Sequence, residues 1–247
     1  MLQPNSITCS TRTNSTALTL LEGFELSCMG ASVVLPLGAQ RLLAFLGVHG
    51  TPLLRMYVAE SLWPHGTRRR ASANLRSAIW RIRQTGYDIL DVSGGRLRLA
   101  PSMVIDVQRG TALARRLLDR SAPWPDDLQP GAVAALSSAL LRDWYDEWLL
   151  LERDRWNQLR LHALEALAER LLAANEYSQA LEAALAAVWV EPLRESAHRI
   201  LIRVHGAEGN LSEVVGEYQR YRELLHRELR TPPTAQMEEL MRELTRG

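Results

Sequence analysis

Lysine does not occur in this chain: all twenty-nine basic residues among its 247 are arginine. A Walker A loop, a kinase phosphate-positioning lysine and a Schiff-base lysine each need an ammonium group. Those forms of nucleotide hydrolysis, kinase and pyridoxal chemistry therefore lose their key residue. Cysteine is nearly as scarce, with only Cys9 and Cys28, both near the start. Nothing in so few thiols forces a disulfide staple, and a reducing cytoplasm is the expected location. No apolar run approaches the roughly eighteen residues of a membrane span, and the polar opening MLQPNSITCSTRTNST lacks the hydrophobic centre of a signal peptide. A soluble protein that stays inside the cell is expected. His198 and His205 share one predicted helix, but no Cys or acid completes a ligand set at usual spacing, so both read as surface histidines. No Ser lies in a nucleophile-elbow pattern. Neither catalytic residues, nor a cofactor, nor a metal is expected, and the chain does not read as an enzyme.

The charge that is present is unevenly placed. A net charge of +1 conceals a division: residues 1–113 hold twelve Arg against six acids, a net +6, and residues 114–247 hold seventeen against twenty-two, a net −5. The length suits two domains, with enough chain to bury roughly 70–75% of its unfolded surface.

The basic half concentrates its charge in residues 68–84, RRRASANLRSAIWRIRQ. At 100° per residue, Ala71, Leu75, Ala78, Ile79 and Ile82 fall on one side of a helix, and Arg69, Ala73, Arg76, Ser77, Trp80 and Gln84 fall opposite. The first group is a core stripe. The segment also holds Arg68, Arg70, Arg81 and Arg83, and no Asp or Glu at all. A solvated helix normally mixes both signs, so such a segment needs a polyanionic partner to relieve its self-repulsion, and nucleic acid is the obvious candidate.

The surrounding pattern gives that helix a setting. Residues 1–16 are rich in Ser, Thr and Asn without an apolar period and read as a flexible tail. Residues 17–21, 24–28 and 32–35 predict three short antiparallel strands. Residues 38–48 repeat Leu42, Leu43, Phe45 and Leu46 at helical spacing and stop at Gly50. Residues 55–62 predict a second helix burying Tyr57, Val58 and Leu62, closed by Trp63-Pro64-His65-Gly66. After the basic helix, residues 89–92 and 96–99 flank Ser93-Gly94-Gly95, a hairpin signal that turns Leu97 and Leu99 inward and leaves Arg96 and Arg98 on the other face. Strands, three helices and a terminal basic hairpin spell a winged helix-turn-helix, its wing placed to reach phosphates or a minor groove.

The acidic half reads as all-helical. Residues 106–118 predict a helix, and residues 121–131, SAPWPDDLQPG, a proline-rich loop. In DWYDEWLLLERDRWNQLRLHALEALAERLL the apolar positions Trp148, Leu151, Trp156, Leu159, Ala163, Leu167 and Leu171 run along one long helix. Asp143, Asp146 and Glu147 fit its start, where carboxylates complement the helix dipole, although a partner-binding role stays open. The segment from Glu176 to Ala180 then corresponds to that from Asn210 to Val214 at an offset of thirty-four residues, the tetratricopeptide period, which implies stacked antiparallel helix pairs. A last helix, residues 234–244, would cap the stack.

NLRSAIWRIR after LWP, between LLAFLGVHG and SGGRLRLA, resembles the OmpR-type winged helix of bacterial transcriptional activators. The DWYDEW and LHALE segment resembles the bacterial transcriptional activator domain. Together, residues 17–244 look like a stand-alone member of the Streptomyces antibiotic regulatory protein (SARP) family. The resemblance implies an α+β winged helix-turn-helix domain over residues 17–105 and an all-α, tetratricopeptide-like activator domain over residues 106–247. It also implies binding to direct repeats in a promoter, contact with RNA polymerase through its sigma factor or other subunits, and control of a biosynthetic gene cluster. Repeated half-sites imply a homodimer on double-stranded DNA, about one helical turn apart. Neither a receiver domain nor a nucleotide-binding domain is evident, so neither aspartyl phosphorylation nor ATP is expected as an input.

For base readout the sequence points to Arg69, Arg70, Ala73, Arg76, Ser77 and Trp80, because Arg pairs bidentately with guanine and a small Ala lets a helix sit deep in the major groove. Arg81, Arg83, Arg96 and Arg98 are expected on phosphates. Trp80 is the ambiguous member: outward, it could stack on sugar or backbone, but burial against a neighbouring element is the commoner fate of an aromatic side chain and is expected here. The residues also leave a second function open, an adaptor or ligand sensor in which the repeats grip a peptide or small molecule and the front half is a scaffold.

Overall fold

A computed structural model of the chain describes residues 16–119 and 131–246. The sequence-expected tail and most of the proline-rich loop lie outside those residues. The described residues fall into two compact units, one of 16–109 with Leu140–Leu149, the other of 110–119 and 131–139 with residues 150–246. No described helix is long and apolar enough to cross a membrane.

The first unit opens with β1 (Thr16–Thr19), β2 (Glu25–Cys28) and β3 (Ala31–Ser32), in which Leu18, Leu26 and Cys28 face the core. The third strand is only two residues long, against the expected 32–35: Val33 still donates its N–H to the Leu26 carbonyl at 2.8 Å, and Val34 and Leu35 leave the ladder before Pro36. A fourth strand, β7 (Val104–Ile105), pairs parallel with β1, giving the order β3-β2-β1-β7. Asp106, the next residue, ties the two together. Its carboxylate accepts from the Leu20 N–H at 2.9 Å and from the Leu21 N–H at 2.9 Å. It also accepts from Val107 N–H at 2.7 Å, at the start of α4 (Asp106–Leu118).

Three helices follow the first strands: α1 (Leu37–His49), α2 (Arg55–Leu62) and α3 (Arg68–Arg83). Gly50 ends α1 in the left-handed region at φ 67°, and its N–H reaches the Leu46 carbonyl at 3.0 Å. On α2, Val58, Ala59 and Leu62 are buried, but Tyr57 is 49% exposed. Its position on the helix leaves only the edge of the core to touch, and its ring meets Phe45 at 5.9 Å between centroids. The wing is β5 (Leu90–Ser93) and β6 (Arg96–Leu99), joined by Gly94 and Gly95 at φ 55° and 74°. Positive φ at both central residues is the type I′ turn, whose twist matches that of the strands. β4 (Leu53–Leu54) adds a third strand on the far side of β6.

Leu140–Leu149 packs with this unit although it lies far along the chain. Leu141 N–H donates to the Leu20 carbonyl at 2.9 Å. The chain's two phenylalanines each meet a tryptophan from this segment: Phe24 stacks on Trp144 at 5.9 Å, and Phe45 meets Trp148 edge-on at 5.0 Å. Asp146 sits where the long helix from Glu147 begins, as expected, and ion-pairs with Arg41.

The second unit holds α5 (Ala132–Ser137), most of α6 (Glu147–Ala173), α7 (Tyr177–Val190), α8 (Glu195–Ala207), α9 (Leu211–Leu229) and α10 (Ala235–Thr245). The thirty-four-residue offset is visible in the backbone. The residue before α7, Glu176, has φ −85° and ψ 63°, and the residue before α9, Asn210, has φ −85° and ψ 67°. Each follows a left-handed residue, Asn175 or Gly209, and each N–H closes back to a carbonyl at 2.9 Å, Glu176 to Leu171 and Asn210 to His205. Ala180, Ala183, Ala184 and Ala187 form the buried face of α7, small enough for close approach of α8. Met237 and Met241 of α10 close a core with Ile202, Val214, Tyr221 and Leu225.

Two histidines contradict the surface reading. His198 is 4% exposed and His205 9%. α8 is covered by both α7 and α9, so its buried face is wide, and Glu217 of α9 supplies His198 with a partner at 2.6 Å. Leu151, expected on the apolar stripe of α6, is instead exposed.

Candidate nucleic-acid interface

Thr67 starts α3: its hydroxyl accepts from the Arg70 N–H at 3.3 Å, satisfying one of the orphan donors of the first turn. Sixteen residues then give a rod of about 24 Å. Ala71, Leu75, Ala78, Ile79 and Ile82 are all buried, the stripe the spacing predicts. Leu75 and Ile82 alone remove enough apolar surface to contribute about 2 kcal/mol each to docking the helix. The opposite face is open: Arg69, Arg70, Ala73, Arg76, Ser77, Trp80, Arg81 and Arg83 are exposed.

The expectation that Trp80 buries is wrong. It is 52% exposed, because it lies on the face opposite the stripe and no element of its unit covers it. The Arg81 guanidinium sits over its ring, 4.9 Å from the centroid, which holds the indole flat beside a cation.

The arginines differ in how they are occupied. Arg68 pairs with Glu60 of α2 at 2.6 Å. Among the described residues, Arg69, Arg70, Arg76 and Arg83 have no carboxylate partner, and α3 has no acid in its first turn. On the wing, Leu97 and Leu99 are buried and Arg96 and Arg98 exposed, as the alternation requires. Arg96 donates to the Pro52 carbonyl at 3.1 Å, and Arg98 pairs with Asp91 across the hairpin at 2.6 Å. The structure thus brings six α3 positions with base-reading chemistry onto one face. It gives the wing arginines intramolecular partners that spacing does not reveal, since Asp91 opposes Arg98 only once the register is fixed.

The positive face has a chemical use: guanidinium groups on an exposed helix face can meet base edges or phosphates without first breaking ion pairs of their own. The electrostatics favour a polyanion.

Comparison with known proteins follows the same outline. A family model described as "Bacterial transcriptional activator domain" matches residues 107–245. Among solved structures, the chain is similar to Mycobacterium tuberculosis EmbR in complex with low affinity phosphopeptide. The TM-score is 0.71 at 20% identity, covering 94% of this chain and 65% of that one, which is a likeness of fold. The chain spans 65% of the length of that relative. Comparison with curated proteins gives no match. With more than half its length inside the matching model, and a winged helix-turn-helix ahead of it, the chain belongs to the bacterial transcriptional activator domain family, in the arrangement of a SARP-type transcriptional activator.

Proposed function

We propose that the protein is a sequence-specific DNA-binding activator that inserts α3 into a major groove and lays its wing against the backbone. Arg69, Arg70, Ala73, Arg76, Ser77 and Trp80 read base edges; Arg81, Arg83, Arg96 and Arg98 hold phosphates. It acts in the cytoplasm without catalysing a reaction, as a pair of subunits on direct repeats of a promoter. There it recruits RNA polymerase through the sigma factor or another subunit, and its targets are genes of a biosynthetic cluster.

The observation that carries this reading is the exposed arginine face of α3, with Arg69, Arg70, Arg76 and Arg83 unpaired among the described residues and backed by a fully buried stripe. Family membership supports the activator role. The test is selection of bound sequences from random DNA, followed by transcription from the best site with purified polymerase. A consensus built of two repeated half-sites and stimulated transcription are expected. An unenriched pool, or repression from the selected site, would refute the proposal.

A further inference from the structure

The first unit carries a pocket of about 560 Å³, built from α1, the end of α2 with the turn after it, the start of α3 and residues 145–148. That volume lies inside the roughly 300–1000 Å³ of small-molecule sites. Trp63 and Trp148 give it half-buried indole walls, and Tyr145 adds a largely exposed phenol ring. The stem of Arg70 lies along the turn at 63–66: a Cβ at Gly66 would stand 3.7 Å from the Arg70 Cβ and Cδ.

The charges of the lining divide into a pair that is used and a pair that is not. Arg41 is bound to Asp146. Arg70 and Glu147 make no side-chain hydrogen bond or ion pair among the described residues, either with each other or with another group. His65 completes the titratable lining and has no carboxylate partner. Two buried donors add to this: Nε1 of Trp148 and Nε of Arg41 have no acceptor. Buried donors are almost always paired, so this wall calls for an acceptor oxygen from outside the chain.

A free cation, a free carboxylate, unsatisfied N–H donors and indole planes select a ligand with a ring and charges of both signs. A plain carboxylate would leave Glu147 uncompensated, a plain amine would do the same to Arg70, and the phosphates of a duplex would be repelled by Glu147. We propose that this pocket binds a free aromatic amino acid, its ring against Trp63 and Trp148, its carboxylate on Arg70 and the buried donors, and its ammonium on Glu147. Because Arg70 also belongs to the face proposed to read DNA, occupancy would withdraw one guanidinium from the duplex. That consequence rests on the proposed function; the binding itself does not.

Titration calorimetry on the full chain without DNA would use L-tryptophan and L-phenylalanine. Each is set beside the relative that lacks the ammonium (indolepropionate, hydrocinnamate) and the one that lacks the carboxylate (tryptamine, phenethylamine). At least one amino acid is expected to bind below about 1 mM, and about threefold or more tighter than either of its relatives. Arg70→Gln and Glu147→Gln, both at exposed positions, should keep the parent's melting temperature and each weaken that amino acid by about threefold or more. Glu147→Gln should leave the relative without an ammonium unweakened, and Arg70→Gln the relative without a carboxylate. Should a variant fail to fold, the parent's preference for the zwitterion over both relatives decides alone. No binding of either amino acid, relatives that bind as well as the zwitterion, or a folded variant with parental affinity would overturn the proposal.

Discussion

Arginine serves differently on α3 and on the helices of the second unit. In the second unit several guanidinium groups are matched by carboxylates: Arg194 with Glu165, Arg220 with Glu217, Arg242 with Glu239. On α3 only Arg68 has such a partner among the described residues. The residue type is the same, and the local supply of acids decides its role. A paired guanidinium is tied to a neighbour, on its own helix for Arg220 and Arg242 and on another for Arg194; an unpaired one on an exposed helix face stores electrostatic repulsion that a polyanion relieves.

The contrast can be broken first on the paired side. Glu217 is buried between His198 and Arg220, with the Arg220 guanidinium at 2.7 Å. Burial pushes its carboxyl upward, but hydrogen bonds from His198 and Arg220, together with their charges, outweigh that and leave it below its ordinary value. Glu217→Gln should therefore destabilise the chain by about 3 kcal/mol at neutral pH, read by urea denaturation. A carboxyl lowered by folding adds stability that is fully present above its unfolded value and is lost as the pH falls through the folded one. The gap between parent and variant should accordingly narrow once the pH drops below the ordinary value of 4.5.

On the unpaired side, Arg76→Ala should leave stability within about 0.5 kcal/mol of the parent. Its loss appears in DNA binding instead, about 1–3 kcal/mol at the selected site and much less on unrelated DNA, by competition mobility shift. A smaller effect is expected at the helix start, where Thr67→Ala removes the hydroxyl that accepts from Arg70. It should lower the melting free energy by about 1 kcal/mol. The smallest effect moves an arginine from one class to the other. Asp91→Asn frees Arg98 from its exposed pair. Stability should change by less than about 1 kcal/mol while affinity for DNA rises by a few-fold and its salt dependence steepens.

How much of this was legible in the sequence follows from the range over which each feature is determined. The stripe on α3, the Gly50 stop, the Gly94-Gly95 turn and the repeat joining Glu176 to Asn210 are written in neighbouring residues, and each is found where spacing places it. The exposed face of α3 is legible for the same reason. Features set by distant partners are not. β7 has only two residues and pairs with a strand that lies far earlier in the chain. His198 is buried because Glu217 arrives from another helix, and Arg98 is occupied because the hairpin register sets Asp91 opposite it. Trp80 differs for another reason: its position opposite the stripe outweighs the general tendency of aromatics to bury.

The central claim is that the free arginines of α3 meet phosphates and bases. Its most direct test is the affinity of the full chain for its selected duplex as a function of salt, beside a variant with Arg69, Arg70, Arg76 and Arg83 all changed to Gln. The expected result is a log–log slope that steepens by about 0.9 for each phosphate neutralised in the parent, and a shallower slope with weaker binding in the variant. Salt-insensitive binding by the parent, or equal slopes for the two, would contradict it.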